Sequence, residues 1–168
     1  MNLRRATEAD QAALRELWEE FEAEIPAPPE LTETWDEEWA DVAADIGGRG
    51  AVYLVEDEEG IAGGLRVSMR AADVWHVAFA HVRPRARRAG VLKALLQEAL
   101  RDGRERGSSR VTLDVLAAND VGVVVWRRLG FEPDSYYLAA GLDALEQDRK
   151  STRLNSSHIQ KSRMPSSA

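Results

Sequence analysis

The sequence predicts an α/β (α+β) fold, a single domain in which a mixed central β-sheet carries helices on its faces. Three observations lead there. Apolar residues recur at helical spacing in "TEADQAALRELWEEFEAEI" and again in "GVLKALLQEAL". Short apolar runs of strand length, "AVYLVED", "IAGGLRVSM", "VWHVAFAHV" and "RVTLDVL", lie between and after them. Together the two kinds of segment follow the order β-α-α-β-β-β-α-β-α-β, which describes a sheet covered by helices. A chain of 168 residues suffices for one such domain with a real core and is too short for two.

Taken in order, "NLRRA" forms a short strand. Thr7 then opens a helix as N-cap, with Glu8 and Asp10 in the first turn, where carboxylates suit the helix dipole. Leu14, Leu17, Trp18, Phe21 and Ile25 give that helix one buried face, and Pro26, Pro28 and Pro29 end it. A second helix is predicted from Thr34 to Ile46, closed by Gly47 and Gly48. The turn "DEEG" joins the next two strands as a hairpin. "VWHVAFAHV" is apolar on both faces and so belongs in the middle of the sheet. The following helix carries Leu92, Leu95, Leu96 and Ala99 as one stripe and stops at Gly107. After the strand "RVTLDVL", a short helix opens at Asn119 or Asp120 and closes at Gly130, and "SYYLAAGL" makes a last strand. No internal repeat interrupts this order.

Composition excludes several classes of function. With 44% hydrophobic and 30% charged residues the chain reads as a soluble globular protein. The absence of cysteine removes disulfide scaffolds, thiolate metal sites and cysteine nucleophiles, and no metal is expected. No apolar stretch reaches the roughly 20 residues of a membrane span, and "MNLRRATEAD" turns polar too soon for a secretory signal, so a cytoplasmic protein without a membrane partner is expected. The net charge of −7 argues against nucleic acid as a partner. The final segment, "DRKSTRLNSSHIQKSRMPSSA", resembles translated sequencing-adapter DNA in two stretches that fall in consistent order. The expectation is therefore a domain over residues 1–147 and a non-native, disordered tail over 148–168. Without that tail the chain loses Arg149, Lys150, Arg153, Lys161 and Arg163 against the single acid Asp148, and becomes more acidic.

Against this acidic background stands "VRPRARRAGVLKALLQEAL". Arg83, Arg85, Arg87, Arg88 and Lys93 crowd the junction between the central strand and a helix, with Gly90 among them. The first turn of a helix has N–H groups without intrahelical partners, and the dipole puts partial positive charge there. Glycine lets backbone approach a ligand closely. Guanidinium groups add charge-assisted hydrogen bonds. Such a junction is suited to phosphate; the alternative reading is a solvated basic loop.

The segment "HVRPRARRAGVLKALLQEAL" resembles the signature of the GCN5-related N-acetyltransferase (GNAT) family, a strand ending in Val, often a Pro, then Arg/Gln-x-x-Gly-x-Gly/Ala. "LDVLAANDVGVVVWRRLGFEP" is similar to the family's later segment, an Asn before a short helix that ends in a Leu-Gly-Phe turn, and "LRRATEADQAALRELW" is similar to its first strand and helix. The resemblance runs over about residues 2–142 in the right order. It implies transfer of an acetyl group from acetyl-CoA to an amine, on a small molecule or a peptide, with a homodimer as a common assembly. It also implies that Arg87, Arg88, Ala89, Gly90, Val91, Leu92 and Lys93 wrap the pyrophosphate, that Val82 and Arg83 pair with the pantetheine arm, and that Asn119 hydrogen-bonds the same arm. Two positions depart from the pattern. Leu92 stands where Gly or Ala is usual, and as head of the apolar stripe it is expected to turn into the core. Trp126 stands where many members carry Tyr and is expected to pack against the pantetheine arm.

Acetyl transfer needs a neutral amine, a donor for the oxyanion and a proton for the leaving thiolate. For the base, His81 and His76 are the imidazoles available outside the tail; both lie on the strand leading into the loop, His81 one residue from its end, with Glu56 and Asp114 as weaker candidates. Tyr136 and Tyr137 are candidate proton donors in place of Trp126. Trp35, Trp75 and His76 are candidates for contact with the acceptor. The carboxylates between Glu19 and Asp45, beside Trp35 and Trp39, suit a cationic amine, although a solvated surface with the two indoles as core anchors explains most of them. The competing function is a catalytically weak or inactive CoA-binding or protein-interaction module on the same fold, which Leu92 and Trp126 favour. A nucleotide-hydrolysing loop is disfavoured, because the Gly-Lys-Ser/Thr ending is missing.

Overall fold

The computed structural model describes residues 1–28, 33–136 and 138. The chain divides into two units, Met1–Phe131 and Glu132–Ala168. In the second, residues 132–136 and 138 have no regular structure. Ser135, Tyr136 and Leu138 are thus not strand, as had been expected of "SYYLAAGL"; the rest of that segment, and the tail over 148–168, lie outside the described residues.

The first unit contains β1 (Asn2–Arg5), α1 (Gln11–Glu24), α2 (Trp35–Ala44), β2 (Gly50–Asp57), β3 (Gly60–Ala71), β4 (Val74–Val82), α3 (Val91–Glu105), β5 (Arg110–Leu113) and α4 (Asp120–Arg128). The five strands form one sheet in the order β1-β2-β3-β4-β5. Neighbours are antiparallel except β4 and β5, which are parallel. That one parallel pair requires a crossover, and α3 supplies it. Thr7 opens a single 3-10 turn, Glu8–Asp10, before α1 begins. Its N–H donates to Asp10 Oδ2 at 2.8 Å, and Arg4 grips the same carboxylate at 2.7 and 2.9 Å, tying β1 to the head of α1. Thr34 caps α2 through a reciprocal pair with Glu37.

Two apolar layers cover the sheet. On one face Tyr53, Val55, Leu65, Val67, Trp75 and Val77 meet Val91, Leu95, Leu96 and Ala99 of α3. On the other, Val52 and Leu54 meet Leu14 and Leu17 of α1 and Trp35 and Val42 of α2. Trp75 is only 1% exposed, and its Nε1–H donates to Ala99 O at 2.8 Å. Expected at the acceptor site, it is instead a core residue under α3, because its strand position turns it to that face.

One irregularity decides the face of every later residue on β4. Val67 pairs with Val77 but Arg66 pairs with Phe79, so Ala78 is an extra residue in the strand. Trp75 and Val77 pack toward α3, whereas Phe79 and His81 reach Phe21 of α1. His76 and His81, which strict alternation would separate, therefore point to the same side of the sheet.

Candidate functional site

The bulge coincides with a divergence. β5 pairs with β4 only from Val74↔Arg110 to Val77↔Leu113, and among the described residues no strand borders Ala78–Val82 on that side. Ala78, in mid-strand, is exposed. The Arg83 N–H is turned to β3, where it donates to Ala62 O at 3.0 Å. Alternation along the strand then turns the N–H groups of Val82 and Ala80 to the open edge. Backbone polar groups in such a place need a partner, and an extended amide-bearing ligand matches them.

The loop above this edge brings the cations together but does not leave them equal. Arg83 donates to Glu20 at 3.1 Å, to Glu16 at 3.1 Å and to Ile61 O at 3.0 Å. Arg85 is bound by Asp57 and Ile61 O. Arg87 donates from Nε to Val82 O at 2.9 Å and from its other end to Glu24, holding that carboxyl below its ordinary range. Among the described residues, Arg88 and Lys93 have no carboxylate partner, and both are exposed. Arg88 (φ 63°) and Gly90 (φ 81°) both adopt the left-handed conformation, which folds the loop into the start of α3. The N–H groups of Val91, Leu92 and Lys93 open that helix and have no intrahelical acceptor. Leu92 packs onto the core beside α3, away from the loop, as the apolar stripe requires.

Asn119 caps α4, its Oδ1 accepting from Gly122 N–H at 2.8 Å, which leaves the amide Nδ2 as a donor. A Cβ on Gly122 would come within 2.4 Å of that Nδ2, so the glycine makes the cap possible. Trp126 packs against the same core cluster as α3 and lies edge-on to Phe131, with ring centroids 5.4 Å apart. Tyr136 is exposed, and Tyr137 lies outside the described residues.

The two histidines sit in different surroundings. His81 is buried against Phe21; its Nε2 lies 3.4 Å from Glu20 but is not aligned for a hydrogen bond. Burial holds its pKa below the ordinary histidine value. His76 is also buried, with Nδ1 at 3.0 Å from Thr112 Oγ1 and Nε2 at 3.7 Å from Asp114 Oδ2. Arg70 donates to the same Asp114 oxygen at 3.1 Å. Burial, and then the nearby Arg70, push the His76 pKa down. Trp35 packs between Trp18 and Trp39 and lines a small pocket with Glu38, Arg66 and Phe79. Arg66, Arg70 and Thr112 were not singled out from the sequence. An arginine inside the apolar run "IAGGLRVSM" was the one available signal. Glu56, a weaker candidate base, is taken by Arg4. Among the described residues no group of three or more His, Asp or Glu converges as a metal site.

Residues 11–131 match the acetyltransferase (GNAT) family. A comparison with curated proteins finds no match. Among solved structures, the chain is similar to AAC(6')-Iy in complex with the bisubstrate analogue CoA-S-monomethyl-acetylneamine, at 20% identity and TM-score 0.67, covering 83% of this chain and 96% of that one. It is also similar to an aminoglycoside 6'-N-acetyltransferase from Acinetobacter haemolyticus, at 18% identity and TM-score 0.67, covering 85% and 100%. A third, a probable acetyltransferase, has 20% identity, TM-score 0.64 and coverage of 84% and 97%. At these identities the likeness is one of fold.

Proposed function

Because the chain belongs to the acetyltransferase (GNAT) family, we propose that it transfers an acetyl group from acetyl-CoA to a primary amine. The observation that carries this is the backbone edge Ala78–Val82, which no strand borders among the described residues, lying before the loop Arg88–Lys93. An extended arm with amides suits the edge, and a diphosphate suits the loop, so the residues present fit the two halves of the co-substrate. Arg88, Lys93 and the N–H groups of Val91, Leu92 and Lys93 would hold the phosphates. Gly90 and Ala89 shape the loop around them. Val82 and Ala80 would pair with the arm, and Asn119 would donate to it from Nδ2. Arg83 and Arg87 brace the loop from below through the carboxylates of α1.

The acceptor class is a cationic amine on a small molecule or a peptide. Aminoglycoside acetyltransferases among the structural relatives support a small molecule, and the acidic face around α1 and α2 supports positive charge. A thiol-release assay on the full chain, with acetyl-CoA and a panel of polyamines, aminoglycosides and peptides, tests the reading. Transfer to cationic members ahead of neutral or acidic ones is expected. Tight CoA binding without thiol release from any amine would instead establish a CoA-binding module, the role that Trp126 in place of tyrosine favours.

A further inference from the structure

Resting on the acetyl-transfer reading, we propose that Glu24 and Arg87 are positioning residues. By holding the Arg87 guanidinium on Val82 O, they close the top of the open edge and set the register in which the arm of the co-substrate pairs there. A residue of an antiparallel strand turns its own N–H and C=O to the same side. With the Arg83 N–H turned to β3, Val82 and Ala80 present both of their groups to the open edge. Arg87 takes one of them: its Nε–H donates to Val82 O at 2.9 Å, while its other end is gripped by Glu24. Val82 N–H is left as a donor without its companion acceptor. An arm carrying amides can offer a carbonyl oxygen to Val82 N–H, but its own N–H finds the next carbonyl only at Ala80, two residues and about 7 Å nearer the bulge. One pairing remains where a bare edge would allow two.

The placement of Glu24 supplies the second argument. It is the last residue of α1, whose last turn carries no basic residue. Its carboxylate therefore faces the negative end of the helix dipole, with Glu20 one turn before it. Nothing on its own helix favours an acid there. The favourable partner is on the loop, and the Arg87 hydrogen bond is the main cause that holds the Glu24 carboxyl below its ordinary range. Both side chains are partly exposed, and an ion pair so placed adds little to stability. What the pair does is direct a cation. Arg87 adjoins Arg88 at the mouth of α3, and without Glu24 it becomes a second guanidinium free for the same diphosphate. Glu24 thus gives up some affinity for the co-substrate and fixes where its arm lies.

The test uses the full chain and separates affinity from turnover. Glu24→Gln should tighten CoA binding about threefold by calorimetry. The same variant should lower kcat, for an amine that the panel identifies as a substrate, about tenfold or more. Arg87→Gln should lower kcat by the same factor without tightening CoA, and the double variant should match Arg87→Gln in both respects. Glu24→Asp, which keeps the charge, should recover most of the wild-type kcat. Independently of turnover, CoA should shift the backbone amide resonances of both Val82 and Ala80 in the wild-type protein, and that of Ala80 far less in Arg87→Gln. Weaker CoA binding and lower kcat together in Glu24→Gln would mean that the pair merely supports the loop. That result, an unchanged kcat, or an equal response of Ala80 in both proteins overturns the assignment while leaving acetyl transfer standing. Failure of the full chain to bind acetyl-CoA at all would remove the transferase reading itself.

Discussion

Arg88 and Arg87 are adjacent in sequence, yet only one is available to a ligand. Arg87 is held by Val82 O and Glu24, whereas Arg88 stands exposed in a left-handed conformation at the mouth of α3. Arg88→Glu should therefore weaken CoA binding about tenfold, which is about 1.4 kcal/mol, and the loss should shrink as salt is raised. Arg85→Glu, whose native partner is Asp57 rather than phosphate, should change CoA affinity less than twofold. Titration calorimetry at two salt concentrations checks both; equal effects would mean that the loop's charge acts as a diffuse field and not through individual groups. The crowd of cations was legible in the sequence. Their division was not, because Glu20 and Glu24, which neutralise Arg83 and Arg87, stand 63 residues away from them. Spacing along the chain predicts neighbours on one helix and says nothing about carboxylates on another.

At the scale of elements, helix boundaries and caps were readable because their causes are local. Thr34 and Glu37 are three residues apart, and Asn119 reaches an N–H three residues on. The face of a strand residue depends on counting by twos, and a single inserted residue resets the count. Ala78 carries no sign of this in its chemistry, so the sequence could not show that His76 and His81 share one side of the sheet. The packing that fixes Trp75 is itself testable. Gly103 lies under its ring, where an added Cβ would sit 2.9 Å from Cδ1. The ring cannot swing aside without breaking its bond to Ala99 O. Gly103→Ala should destabilise the fold by about 1–3 kcal/mol through overpacking, despite the roughly 1 kcal/mol that alanine favours in a helix interior. Thermal unfolding measures the balance, and an unchanged or higher midpoint would show that α3 rides further from the sheet than these distances give.

For the molecule as a whole, acidity is organised by pairing rather than spread evenly, and its pH dependence should show the organisation. His76 and His81 are buried, with pKa values below the ordinary one near 6.5. The unfolded chain takes up protons there before the folded one does, so their contribution to stability is complete above about pH 6.5 and declines as the pH falls below it. Asp10 behaves in the same sense over a lower window. The Arg4 guanidinium lowers its pKa from 3.8 to about 2, so this contribution is complete above about pH 4 and is lost as the pH falls toward 2. Since Asp10 joins β1 to the head of α1, its loss loosens an edge strand as well as a charge pair. Chemical denaturation at half-unit intervals from pH 8 to pH 2 should accordingly give two separate declines. Asp10→Asn should flatten only the lower one, lowering stability at pH 7 by about 2 kcal/mol and by progressively less as the pH approaches 2. A variant that loses the same amount at every pH would show that the Arg4 grip contributes by shape and not by charge.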